Sequence, residues 1–67
     1  MLKCTACIAH DEYDEKRKLT VPVLPLVGDR VSFGESVHDN SYVVRRIEFV
    51  VNKETGDCTA INIHMEE

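Results

Sequence analysis

The sequence has few of the residues that mark other protein classes. It has no tryptophan, only three glycines and two prolines, and no apolar run near the roughly 18 residues that a membrane-spanning helix needs. It also has no excess of positive charge, since eight Lys and Arg residues stand against twelve Asp and Glu, for a net charge of −4. Clustered Lys and Arg bind nucleic-acid backbones, and the two short basic groups here, Lys16–Lys18 and Arg45–Arg46, lie close to acids. We therefore expect neither a membrane span nor a nucleic-acid partner.

Cysteine is scarce as well. The count of three is odd, so a closed disulfide framework cannot use all of them. A secretory signal is not expected, because Lys3 and the acidic segment 11–15 interrupt the apolar start. The sequence predicts a reducing, cytoplasmic location in which the thiols stay free.

The length bounds the architecture. With 67 residues the chain forms one domain, 1–67, which buries only about 60% of the surface that its unfolded form exposes. Its free energy of unfolding is expected to be roughly 3–10 kcal/mol. Such a small core leaves little room for a deep pocket, and we expect the protein not to be an enzyme.

What the sequence does have is alternation. Apolar and polar residues alternate with the period of two that is typical of strands in segments 2–9, 19–23, 31–33, 42–51 and 58–65. The charged segment 10–18 can bury nothing and is expected to be a solvated hairpin turn. Pro22 lacks an N–H, so the strand that holds it should lie at a sheet edge. No window of residues has the apolar spacing of an amphipathic helix.

The inward faces follow from this alternation. In the first segment Leu2, Cys4, Ala6 and Ile8 share one face, and in the last Ile61, Ile63 and Met65 do. In 42–51 the residues of one parity are Val43, Arg45, Ile47, Phe49 and Val51, and the charged member predicts a bend or bulge near 44–46. Five short strands protect their edges best by closure. The sequence therefore predicts an all-β fold, a small five-stranded antiparallel barrel of the SH3-like or OB-like kind.

A resemblance supports this fold. The segment Pro25-Leu26-Val27-Gly28-Asp29-Arg30-Val31, followed by Tyr42-Val43-Val44-Arg45-Arg46-Ile47, resembles a P-x-x-G-D-x-V … Y-x-V-x-x-I pattern. This pattern is similar to that of short uncharacterised bacterial and phage proteins with SH3-like barrels. The likeness covers residues 19–65 in outline. Its distinctive positions are turn and core residues, so it implies the fold and no catalytic or binding residue.

Two arrangements of cysteine and histidine are candidates for a metal or catalytic site. Cys4-x-x-Cys7 has the spacing of half a zinc site, but on a strand the two thiols point to opposite faces. The other candidate ligands, Cys58 and His64, are about 20 Å apart on an extended strand. A catalytic pair of Cys4 or Cys7 with His64 needs adjacent strands. We expect no metal, no cofactor and no catalytic residue.

The best binding candidates are Arg45 and Arg46 with Tyr42, joined by Arg30. If Arg45 lay on the apolar side it would need an acidic partner or an anionic ligand, because an unpaired buried charge is costly. A bulge would instead turn both arginines outward and expose a patch of basic and aromatic side chains. The plainest alternative is a surface salt bridge.

Two functional hypotheses follow. The first is a non-enzymatic binding module that engages a protein partner, or another copy of itself, through the apolar edges of segments 19–24 and 58–65. A phage origin suits its brevity and acidity. The alternative is an oligomer that binds an anionic small molecule or nucleotide at a subunit interface through Arg45 and Arg46.

Overall fold

The computed structural model describes residues 1–34 and 41–67, so most of the polar segment 34–41, whose composition predicts a loop, lies outside the described residues. The all-β class is confirmed. The five strands are β1 (Leu2–Ala9), β2 (Asp14–Val21), β3 (Arg30–Ser32), β4 (Ser41–Val51) and β5 (Cys58–Glu66).

The strands form one curled sheet, a half-barrel, in the order β2-β1-β5-β4-β3. β1 and β5 are parallel neighbours and the other pairs are antiparallel, so the prediction of a wholly antiparallel sheet was wrong. Parallel strands need a crossover of a dozen or more residues, and here the three intervening strands supply it. β5 therefore lies at the centre of the sheet, and segment 58–65 is not the edge that we expected.

β2 begins earlier than its sequence suggested. The hairpin turn is limited to residues 10–13, where the His10 amide donates to the Tyr13 carbonyl at 2.9 Å, and Asp14 already pairs with Ala9. Backbone pairing with β1 overrides the low strand propensity of the charged segment. β2 is an edge strand, as Pro22 indicated, and charged side chains are common on such edges.

The core lies on the inner face of the half-barrel. Its buried members are Cys4, Ala6, Ile8, Tyr42, Val44, Ile63 and Met65. The predicted inward faces of β1 and β5 are thus confirmed, and Val31 and Phe33 pack against this core. Leu2, at the start of β1, stays 38% exposed.

β4 contains the predicted bulge. Its pairing with β5 shifts between Val44 and Arg46, so Arg45 is the additional residue. Tyr42 and Val44 face the core before the bulge and Ile47 faces it afterwards. The inward assignment of Val43 was therefore wrong, because the bulge inverts the parity that the sequence alone would carry through.

The two ends of the half-barrel differ. At the closed end, where β1 and β5 finish and β4 begins, Ile8, Tyr42 and Met65 are each 1% exposed. Here the Arg17 guanidinium of edge strand β2 lies 5.1 Å from the centroid of the Phe33 ring, which follows edge strand β3. This contact links the two edges of the sheet. At the open end β1 and β5 begin and β2 and β4 finish.

Candidate functional site

Tyr42, one of the predicted binding residues, belongs to the core. It is 1% exposed, and its ring lies 5.9 Å from Phe33 and 5.8 Å from His10, centroid to centroid. Burial is the main cause that raises the pKa of its phenol. The structure does not bring Tyr42 to the surface beside the arginines, because the bulge places it on the inner face.

The arginines lie outside the core. The bulge turns Arg45 outward, as one of the two sequence alternatives required, and its Nε donates to Glu66 Oε1 at 2.6 Å. This is the surface salt bridge of the plainest alternative. Arg46 is exposed opposite His64 on β5, and Arg30 is exposed opposite Val43 on β4.

A polar cleft of about 330 Å³ is lined by residues of β2, β1, β5 and β4, most of them on the outer face of the sheet. Its charged lining has both signs: Asp14, Glu15, Lys16, Arg45, Glu48 and Glu66. Four carboxylates against two basic groups make this surface a poor match for an anion.

Glu48 organises the middle of the polar cleft. Its Oε1 accepts a hydrogen bond from Asn62 Nδ2 at 3.0 Å and lies 3.2 Å from His64 Nε2. The Asn62 hydrogen bond, followed by the one with His64, holds the pKa of the Glu48 carboxyl below its ordinary value. The Glu48 side chain is exposed.

Cys7 and His64 are direct neighbours in the parallel pair of β1 and β5. The sequence offered this pair only on condition that the strands were adjacent, and the structure meets that condition. Within the described residues, however, no hydrogen bond joins the Cys7 thiol to the imidazole, whose Nε2 lies against Glu48. The pair therefore lacks the contact by which a histidine activates a nucleophile.

The cysteines do not converge. Cys4 is buried on the inner face, Cys7 is half-buried on the outer face and Cys58 is exposed at the open end. Burial raises the pKa of the Cys4 thiol. In residues 1–34 and 41–67 no group of three or more His, Cys, Asp or Glu side chains is arranged to hold a metal ion.

The open end carries apolar side chains that stay exposed. Phe49 is paired opposite Ile61, on the face that holds the core, and is 53% exposed. Val51, two residues further along β4, is 50% exposed, and Leu2 lies opposite Val21 at 38%. We call Leu2, Phe49 and Val51 the open-end surface. The sequence identified the inward parity of Leu2 and Phe49 but not their exposure, and a second register shift, between Val50 and Val51, pairs Val51 with Cys58.

A second groove separates the beginnings of β1 and β5. The two strands pair only from Thr5 with Asn62 to Ala9 with Glu66, although β1 begins at Leu2 and β5 at Cys58. Along these diverging segments and the adjoining part of β2 lies a groove of about 420 Å³, which we call the split. Its lining consists of Lys3, Cys4, Thr5, Lys18, Leu19, Thr20, Thr59, Ala60 and Ile61. Nothing in the sequence marks the point of divergence.

The described residues contain no helix long and apolar enough to cross a membrane.

Comparisons with known proteins identify no family for this chain. No family model matches the chain, and no match was found among curated proteins or solved structures.

Proposed function

We propose that this chain is a non-enzymatic protein-binding module whose open-end surface contacts another polypeptide. One observation carries the proposal: Leu2 and Phe49, which are paired opposite the core-packed residues Val21 and Ile61, and Val51 at the end of β4 are 38–53% exposed. Apolar side chains on a core-facing surface are stabilised when a further chain covers them, by up to about 1.5–3 kcal/mol for a large one that becomes fully buried. Exposed apolar surface of this kind is typical of interaction sites.

The charges on edge strand β2 favour contact with a partner at the open end over pairing along that edge. The outermost strand β2 presents Lys16, Arg17 and Lys18 in succession, and such charges oppose edge-to-edge pairing with another copy. β5 is paired with β4 along its length and with β1 from Asn62 onward. The free edge of β5 is therefore limited to Cys58–Ile61, and we place the association at the open end of the sheet rather than along the whole of segment 58–65.

Three finer assignments belong to the same proposal. We place the half-barrel among small barrels of the SH3-like or OB-like kind and assign it a cytoplasmic location, where its three free cysteines stay as thiols. A phage origin remains a prediction from brevity and acidity. The anionic-ligand hypothesis also remains a prediction, and the bond from Arg45 to Glu66 and the four carboxylates of the polar cleft argue against it.

The experiment is a selection of displayed random peptides on the immobilised protein, with sedimentation velocity of the free protein beside it. We expect peptides selected on the wild-type chain to lose affinity by about tenfold or more on Phe49→Glu, because the acid would be desolvated at the contact. If the polypeptide is a second copy, the same substitution will dissociate a dimer.

The matched control is Tyr13→Glu at the closed end, since Tyr13 is 62% exposed and Phe49 53%. Circular dichroism of both variants confirms the fold. Selected peptides that bind wild type, Phe49→Glu and Tyr13→Glu equally well contradict the proposal. A monomer on which no peptide can be selected contradicts it too.

A further inference from the structure

We infer that the split is a binding groove for an extended peptide in which acidic and apolar residues alternate. The inference rests on the proposed function and names its partner: a segment of another protein that adds as a short strand.

The backbone of the split is available for pairing. In the described parts of the chain, Leu2–Cys4 has no partner strand on its β5 side, and Cys58–Ile61 has none on its β1 side. On their other sides both segments are held, by β2 and by β4. Strand edges that are rigid on one side and open on the other are the template that peptides use in strand addition. Three or four residues on each wall give a length of about 10–13 Å.

The walls of the split have an apolar inner side. Cys4 pairs with Leu19, and both face the core together with Ile61. An added strand places every second side chain on this side, where Leu19 and Ile61 are only half-buried and gain apolar cover. Apolar residues are therefore favoured at alternate peptide positions.

The outer side of the split is basic. Lys3 lies opposite Thr20 and Lys18 opposite Thr5, so the two lysines are diagonal neighbours on the outer face. No acidic residue is part of the lining, although the whole chain carries a net charge of −4. The ion pairs found among the described residues use other side chains. The remaining alternate positions of the peptide therefore favour Asp or Glu.

The charge pattern also separates the split from the polar cleft. Both grooves lie on the sheet, but four carboxylates line the polar cleft and none lines the split. An acidic peptide is repelled by the first groove and attracted by the second.

The test uses the synthetic peptide acetyl-Glu-Val-Glu-Val-Glu-amide and its Lys-Val-Lys-Val-Lys counterpart, titrated into the full chain by NMR at low salt. We expect the acidic peptide to bind, with chemical-shift changes and slower amide exchange confined to Leu2–Thr5, Lys18–Thr20 and Cys58–Ile61. The double variant Lys3→Glu, Lys18→Glu should bind the acidic peptide with an affinity lowered by about tenfold or more, and should bind the basic peptide instead.

Lys16→Glu is the matched control, because Lys16 lies on the same strand and face as Lys18 but lines the polar cleft. Lys16→Glu is compared with the single variant Lys18→Glu. If both weaken binding of the acidic peptide equally, the attraction is unspecific and the inference is wrong. It is also wrong if both peptides bind alike, if neither binds, or if the shifts cluster around His64.

The two proposals fail in different ways. If the acidic peptide does not bind while display-selected peptides depend on Phe49, the split is not the groove and the open-end surface stands. If the acidic peptide binds in the split and Phe49→Glu affects no peptide, the groove stands and the open-end surface does not carry binding. The variants at Lys3, Lys18 and Phe49 thus separate them.

Discussion

The closed and open ends of the half-barrel are built from the same kinds of side chain and reach different degrees of burial. On β5 the inward residues Ile61 and Ile63 are two positions apart, yet Ile63 is fully buried and Ile61 only partly. At the closed end β3 and the Phe33 ring cover the sheet, and Arg17 joins its two edges. At the open end β1 and β5 diverge and nothing described covers Phe49. The difference teaches that strand alternation decides which face a residue takes, whereas burial depends on what packs against that face.

At the closed end, polar and charged side chains of the hairpin and of β2 also contact one another. His10 stacks on Tyr13 with ring centroids 4.4 Å apart and contacts Glu15 at 3.0 Å. Arg17 also donates a hydrogen bond to this carboxylate. The hydrogen bond from Arg17, and after it the one with His10, holds the pKa of Glu15 below its ordinary value. The first half of β2 therefore satisfies its charges locally. Its second half contributes Lys18 to the split.

The largest expected effect comes from matched truncations on β5. Ile63→Ala should lower the free energy of unfolding by about 2–5 kcal/mol, because it leaves a cavity among side chains that are fully buried. Ile61→Ala should cost less than half as much, since solvent already reaches its site. Urea unfolding followed by circular dichroism measures both.

Because the whole domain is stabilised by only roughly 3–10 kcal/mol, Ile63→Ala is expected to be largely unfolded if its cost is at the upper end. Ile63→Val then provides the comparison with Ile61→Val, at about 0.5–1.5 kcal/mol for the buried site. Equal costs at the two positions would show that the open end is as well packed as the closed end.

The thiols give the next largest contrast. Cys58 is exposed at the open end, whereas Cys4 is 7% exposed and burial raises the pKa of its thiol. We expect a thiol reagent to label Cys58 at least roughly a hundredfold faster than Cys4, which must wait for an opening of the structure. Mass spectrometry of peptides from a time course measures both rates.

The variant Ile63→Val sharpens this result. If Cys4 reacts only after global unfolding, its labelling accelerates in step with the loss of stability. If the labelling rate of Cys4 is the same in Ile63→Val as in the wild-type chain, while Cys58 reacts at once in both, the split opens locally without unfolding the closed end. Similar labelling rates for the two thiols in the wild-type chain would contradict the burial of Cys4.

Much of this fold could be predicted from the sequence, for identifiable reasons. The period-two alternation of β1 and β5 identified their inward faces, and the charge of Arg45 among apolar residues identified the bulge in β4. Alternation is the same in parallel and antiparallel strands, so the parallel pairing of β1 with β5 had no local signal. The early start of β2 at Asp14 depends on pairing with Ala9, which local propensity does not contain.

The candidate sites were harder to predict than the fold. Tyr42 was assigned to a surface patch because its parity was carried through the bulge unchanged, and one extra residue moves it into the core. The split depends on where two strands that are far apart in sequence stop pairing, between Thr5 and Cys4 on β1. Such a divergence is a property of the whole sheet, and no short motif records it.

The smallest effect concerns the outer face, which is shared by both ends. The hydrogen bonds from Asn62 and His64 lower the pKa of Glu48 in the folded chain. Their contribution to stability is therefore fully present at a pH above the pKa that Glu48 has in the unfolded chain. It is lost as the pH falls through the pKa that Glu48 has in the folded chain. Asn62→Ala should raise the pKa of Glu48 towards its ordinary value of 4.5, because the largest cause of the shift is removed. An NMR titration of the Glu48 carboxyl carbon measures this shift. Thr5→Ala is the control, since Thr5 lies beside Asn62 on β1 and should leave that pKa unchanged. An unaltered Glu48 titration in Asn62→Ala would show that the outer-face network adds nothing to the acid stability of either end.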